Sequence, residues 1–113
     1  MGIWRSIGFA FAGLRYAFVS QRSIRIETAF AGVVVVIGFV LRISKLEWAI
    51  VAVSISLVIG LELLNTAVEA VADLASPTFH PLAKVAKDTA AAAVFIGAFG
   101  SIIAGLIIFL SRL

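Results

Sequence analysis

Four polar residues stand at the end of an otherwise apolar stretch: Glu62, Asn65, Glu69 and Asp73, with Thr66 beside them. Their offsets of 3, 7 and 11 residues from Glu62 form one narrow stripe on a helix, because each residue turns the chain by about 100°. Glu62 directly follows the apolar run 48–61, which sets its carboxylate at or just inside a membrane boundary. A charge at the bilayer centre costs about 2.5–3.5 kcal/mol even on permissive scales, so an acid held near that depth is read as functional. No Lys or Arg accompanies the acids on this segment. Unpaired carboxylates on one face attract a hard cation, and Mg²⁺ is the natural one because it takes oxygen ligands. The plainer reading, a helix end becoming wet as it leaves the bilayer, suits Asp73 better than Glu62.

A second group follows at Lys84-Val85-Ala86-Lys87-Asp88. Two ammonium groups three residues apart can approach a polyphosphate, and a helix N-terminus adds backbone donors. The competing reading is a basic flank of a membrane span, with Asp88 favouring the helix start. Taken together, the acidic stripe and the basic segment describe a site for Mg²⁺ and nucleotide phosphates at a membrane interface. His80, the only histidine, is followed by Pro81 and preceded by Pro77, so a loop-shaping role competes with ligand contact. Gly8 and Gly13 have the spacing of phosphate-loop glycines, but Leu14-Arg15 stands where Lys-Ser/Thr is required. There is no cysteine, which excludes disulfides and thiol metal sites.

The elements that must position these groups follow from composition. Of 113 residues, 63% are hydrophobic and 13% charged, whereas a soluble domain is nearer one quarter charged. Such a chain faces lipid, and its length allows one domain, 1–113. In residues 1–25, Trp4, Ile7, Phe11, Leu14 and Phe18 recur at three- and four-residue spacings, which predicts an amphipathic helix lying on the membrane surface. Arg5 and Arg15 break that segment up, so it does not read as a cleaved signal. Three membrane-spanning helices are expected at 27–45, 46–72 and 88–111, with a loop at 73–87 containing Pro77 and Pro81. The Val33–Val36 run would suit a strand in water, but an isolated strand in lipid leaves its backbone unsatisfied, so a helix is required. Thr89, Ala93, Gly97, Ser101 and Gly105 form a small-residue ridge suited to close helix packing.

Orientation follows from the basic residues. Arg5, Arg15, Arg22, Arg25, Lys84 and Lys87 fall on one side, against Arg42, Lys45 and Arg112 on the other. Six against three places the N-terminus, the loop and the stripe in the cytoplasm. The same placement explains the net charge of +3 without a nucleic-acid partner.

The run Glu62-Leu-Leu-Asn65-Thr-Ala-Val-Glu69-Ala-Val-Ala-Asp73, followed by Ala86-Lys87-Asp88 and small residues, resembles the signature of the prokaryotic diacylglycerol kinase family, which includes undecaprenol kinases. Gly13-Leu14-Arg15 and the segment Arg25 to Glu27 fit the same pattern. The resemblance implies a homotrimer in the bacterial cytoplasmic membrane, each all-α protomer having a surface helix and three spans. It also implies transfer of the γ-phosphate of Mg-ATP to the hydroxyl of a membrane lipid. By match to the motif, Glu62 is the base, and Glu69 binds Mg²⁺. Asn65, Asp73, Lys87 and Asp88 order the nucleotide, His80 lies near the adenosine, and Arg25 and Glu27 line the site or the path of the lipid. The family commonly has a second metal-binding glutamate on the surface helix, where this chain has Gln21, a weaker Mg²⁺ ligand. On a continuous helix, Glu27 would face away from that position and could not replace it. The stretch from His80 to Asp88 resembles the undecaprenol kinase branch, which makes undecaprenol the expected acceptor and diacylglycerol the second. The alternative from another class is a small proton-coupled transporter, which would need Glu62 near mid-membrane and reachable from both faces.

Overall fold

The computed structural model describes residues 2–113 and consists of four helices: α1 (Ile3–Ser20), α2 (Arg22–Leu41), α3 (Lys45–Ala75) and α4 (Pro81–Leu110). Helices α2, α3 and α4 are each long and apolar enough to cross a membrane. Among the described residues only six hydrophobic side chains are buried, namely Ala17, Ile24, Ile43, Val51, Ala72 and Ile108. So little core cannot hold a water-soluble fold together, and the many exposed Phe, Ile, Leu and Val side chains are lipid-facing surface.

Each boundary has a local cause. Gln21 is extended (φ −114°, ψ 114°) and separates α1 from α2, so the surface segment ends at Ser20 rather than 25 and the next helix begins at Arg22 rather than 27. Arg25 fastens the joint: its Nη1 donates to the carbonyls of Phe18 (2.8 Å) and Val19 (2.9 Å), which α1 leaves without intrahelical partners. Helix α2 stops at Leu41 rather than 45, because Arg42 adopts a left-handed conformation (φ 53°) and the Ile43 N–H bonds back to the Gly38 carbonyl. Helix α3 then starts from a capping box. The Ser44 hydroxyl accepts from the Glu47 N–H, and the Glu47 carboxylate accepts from the Ser44 N–H.

The loop expected at 73–87 is much shorter. Helix α3 continues to Ala75 and α4 begins at Pro81, leaving Ser76 to His80 as the connection. Proline forbids helix before it but is well suited to the first helical position, where its missing N–H is not needed. His80 completes this start, its Nδ1 accepting from the Leu82 N–H at 3.1 Å.

Helices α3 and α4 form the main antiparallel pair, and α2 leans against α3. The small-residue ridge of α4 lies partly in that pair. A Cβ on Gly97 would come within 2.5 Å of Leu61 Cδ1, and the Ser101 hydroxyl donates to the Ser54 carbonyl at 3.4 Å. At the end of the bundle remote from the stripe, Arg112 pairs with Glu47, joining the end of α4 to the start of α3. At the turn between α2 and α3, Trp48 packs against Gly38 and against Phe39, with ring centroids 4.8 Å apart.

Candidate active site

Glu62 lies 17 residues after the first residue of α3. At 1.5 Å per residue that is about 26 Å along the helix, close to the far edge of a hydrocarbon core about 30 Å thick. The rest of the stripe lies on the remainder of α3, which continues to Ala75. Burial decreases along it: Glu62 is 4% exposed and Asn65 8%, Glu69 is half-buried and Asp73 is exposed. Thr66 is also buried, its hydroxyl tied to the Glu62 carbonyl at 3.0 Å.

Within the stripe, Asn65 Nδ2 donates to Glu69 Oε1 at 3.2 Å. This bond fixes the amide so that Asn65 Oδ1, buried and without a hydrogen-bond partner, remains available as an acceptor. A carboxylate beside an orphaned amide oxygen is a suitable donor set for a hard cation that also takes phosphate oxygens and waters. Among the described residues no group of three or more Asp, Glu, His or Cys side chains gathers to enclose a metal. The site therefore fits an ion shared with a ligand rather than a closed structural one.

Asp73 is not unpaired, as its own helix suggested. Lys87 reaches across from α4 and pairs with it. Lys84 pairs instead with Asp88 one turn along α4, at 2.6 Å. Lys87 and Asp88 lie two turns inside α4, so the free backbone donors of that helix start are not beside them; the Lys84 N–H already bonds the His80 carbonyl. This corrects the expected pairing of the two lysines with a helix N-terminus. It follows from Pro81, rather than Asp88, opening the helix.

Glu27 and Arg25 diverge. Arg25 is exposed and turned to the end of α1. Glu27 is half-buried, and its Oε2 is buried without a hydrogen-bond partner. The break at Gln21 means that α1 and α2 are not one continuous helix. Gln21 itself is half-buried, and its side-chain amide makes no hydrogen bond among the described residues. Glu27 also lines an apolar cleft of about 410 Å³ between α2, α3 and α4, with Val34, Val51, Ile55 and Ile102 among its walls.

Residues 8–109 match the family described as prokaryotic diacylglycerol kinase. The chain belongs to that family. A protein named undecaprenol kinase from Bacillus subtilis is 45% identical over 94 residues, covering 83% of this chain and 76% of its own length. One named diacylglycerol kinase from Synechocystis sp. is 43% identical over 101 residues, or 88% of this chain. The alignment spans 58% of the length of that relative. The Escherichia coli protein named diacylglycerol kinase is 32% identical over 110 residues, covering 97% of this chain and 90% of its own. Both names attach to lipid kinases, and the stripe, Lys87 and Asp88 all lie inside the matched region. Membership in this lipid kinase family leaves a transporter role for Glu62 without support.

Proposed function

We propose that this chain transfers the γ-phosphate of Mg-ATP to the hydroxyl of a membrane lipid alcohol, with undecaprenol as acceptor and diacylglycerol as the alternative. The observation that carries this reading is the position of Glu62, a buried carboxylate about 26 Å along α3 from Lys45. Val58 and Ile59, one turn before it on α3, line the apolar cleft, and the polar stripe continues beyond it. A lipid can lay its hydrocarbon in the cleft and bring its hydroxyl to Glu62, while the nucleotide stays in water beyond Glu69.

Glu62 accepts the hydroxyl proton as the oxygen attacks the γ-phosphorus, and the bond from that phosphorus to the β,γ-bridging oxygen breaks. Glu69, with the Asn65 amide oxygen, holds Mg²⁺, and Gln21 contributes at most a weak ligand. Mg²⁺ held by Glu69 and Asn65 would supply positive charge beside the phosphates. Asp73 and Lys87 act as one ion-paired unit whose ammonium faces the nucleotide, with Asp88 and His80 beside it. Arg25 acts on the lipid path by holding α1 at its angle to α2.

We place the active site on the cytoplasmic side of the bacterial inner membrane, on the six-to-three balance of basic residues. We also propose a homotrimer. Gly32, Gly60 and Gly100 face open space, where an added Cβ would meet no atom, and small residues on lipid-facing helices suit close packing with another copy.

The decisive experiment offers the purified protein labelled ATP and each lipid alcohol in turn. Phosphorylation of undecaprenol above diacylglycerol is expected. Failure to label either, while control lipid kinases work in the same micelles, would overturn the proposal.

A further inference from the structure

Residues 1–26 contain four arginines and no acid; Glu27 is the first carboxylate in the chain. Every residue from 2 to 16 is exposed, so the front of α1 has no cover from its own chain. Its C-terminal end is held, by the burial of Ala17 and by Arg25 on the carbonyls of Phe18 and Val19. Arg5 and Arg15 stand about 120° and about 160° around the helix from Ala17, on the side turned from the bundle. Among the described residues neither they nor Arg22 forms an ion pair. Trp4, 82% exposed, is interleaved with them, as are the exposed Phe9, Phe11 and Tyr16. One residue, Gln21, joins this helix to the span α2, which tethers it at the bilayer surface. Unpaired guanidinium groups beside bare aromatic rings fit phosphate headgroups lying over acyl chains. A hydrated acidic partner would match the charge but leave the rings uncovered.

We propose that α1 is a docking surface for anionic phospholipid headgroups, bound through Arg5 and Arg15, and that this docking sets the rate of the site through the Gln21 joint. The effect on rate rests on the lipid kinase reading above; the docking does not. Guanidinium groups take phosphate oxygens through paired, charge-assisted hydrogen bonds. The rings beside them enter the top of the acyl region. A zwitterionic headgroup has the same phosphate with its own cation alongside, so the attraction needs net negative lipid. Docked α1 acts on the site through the joint. Arg25 ties its last turn to α2, and Ile24, 2% exposed, is packed just beyond Gln21. Glu27, less than one turn further, lines the cleft assigned to the lipid. A leaflet without negative charge leaves the front of α1 unheld, and with it the mouth of that cleft.

The test reconstitutes the full chain in vesicles of phosphatidylcholine alone and in vesicles with roughly one third phosphatidylglycerol. Docking is read from Trp4 fluorescence, quenched by lipid brominated at the top of its acyl chains, in a Trp48→Phe background that leaves one indole. Activity is read separately in chains that keep Trp48. Phosphatidylglycerol should deepen the quenching of Trp4 and raise kcat about fivefold, the factor one arginine contributes near an anionic surface. High salt should weaken both responses. The double variant Arg5→Gln/Arg15→Gln should lose both and keep the basal rate found in neutral vesicles, and Arg5→Lys/Arg15→Lys should retain most of each. Inorganic phosphate added to neutral vesicles should reproduce neither; if it does, a free anion rather than a headgroup is the ligand and the proposal fails. Equal quenching in the two vesicles, or a full response from the double Gln variant, overturns the docking and leaves α1 covered by a second copy or another protein. Deeper quenching with an unchanged, measurable kcat overturns the link to rate. Deeper quenching in a chain that phosphorylates no lipid alcohol overturns the kinase reading while the docking stands.

Discussion

At the scale of single residues, the roles proposed for the stripe differ with burial, from Glu62 to the exposed Asp73. Glu62→Gln should lower phosphoryl transfer by on the order of 10²- to 10⁴-fold, the range for loss of a general base. Mg-ATP binding, measured by titration calorimetry, should be preserved. Glu69→Gln should do the reverse in part, weakening Mg-ATP binding because an amide is a poorer ligand than a carboxylate. Two variants of equal, undiminished activity would remove both assignments. The stripe was legible in the sequence because a helix alone brings residues 62, 65, 69 and 73 together. The Lys87–Asp73 pair was not. It joins two helices, and single-chain periodicity carries no information about which faces meet. Only the capping box at Ser44 and Glu47 had a local signal, Ser-x-x-Glu, and it fixes a helix start rather than a site.

At the scale of elements, the membrane spans followed directly from apolar length, whereas their ends did not. Pro77 and Pro81 suggested a long loop. Pro81 instead opens α4, because proline ends a helix only when it stands after the helix has begun. The same reasoning applies to the glycines. Gly38 faces the edge of the Trp48 indole, 2.7 Å from where a Cβ would sit, and that ring is wedged against Phe39. Gly97 faces the tip of Leu61, a side chain free to change rotamer. Gly38→Ala should therefore destabilise the protein in detergent by about 1–3 kcal/mol through overpacking, and Gly97→Ala should cost clearly less. Thermal melts of the two variants in the same micelle check the order, and a reversed order would show that the α2–α3 turn is not rigid.

At the scale of the whole molecule, the apolar surface left exposed in one copy is open to lipid and, in the trimer proposed above, to neighbouring copies. Native mass spectrometry from detergent should give a trimer, and a monomer retaining full activity would remove that proposal. The antiparallel pair α3–α4 is closed at one end by Arg112 and Glu47 and joined at the other by Lys87 and Asp73. Between these ends α3 works as a ruler. Glu62 stands about 26 Å along it from the capped start, a distance close to the thickness of a hydrocarbon core. Hydrophobic matching then becomes a determinant of rate. In a thicker bilayer the acid sinks below the headgroups and loses the nucleotide; in a thinner one it rises away from the lipid hydroxyl. Activity in vesicles of graded acyl length should pass through a maximum, and the host membrane's thickness would set how fast the enzyme runs without any change to its site.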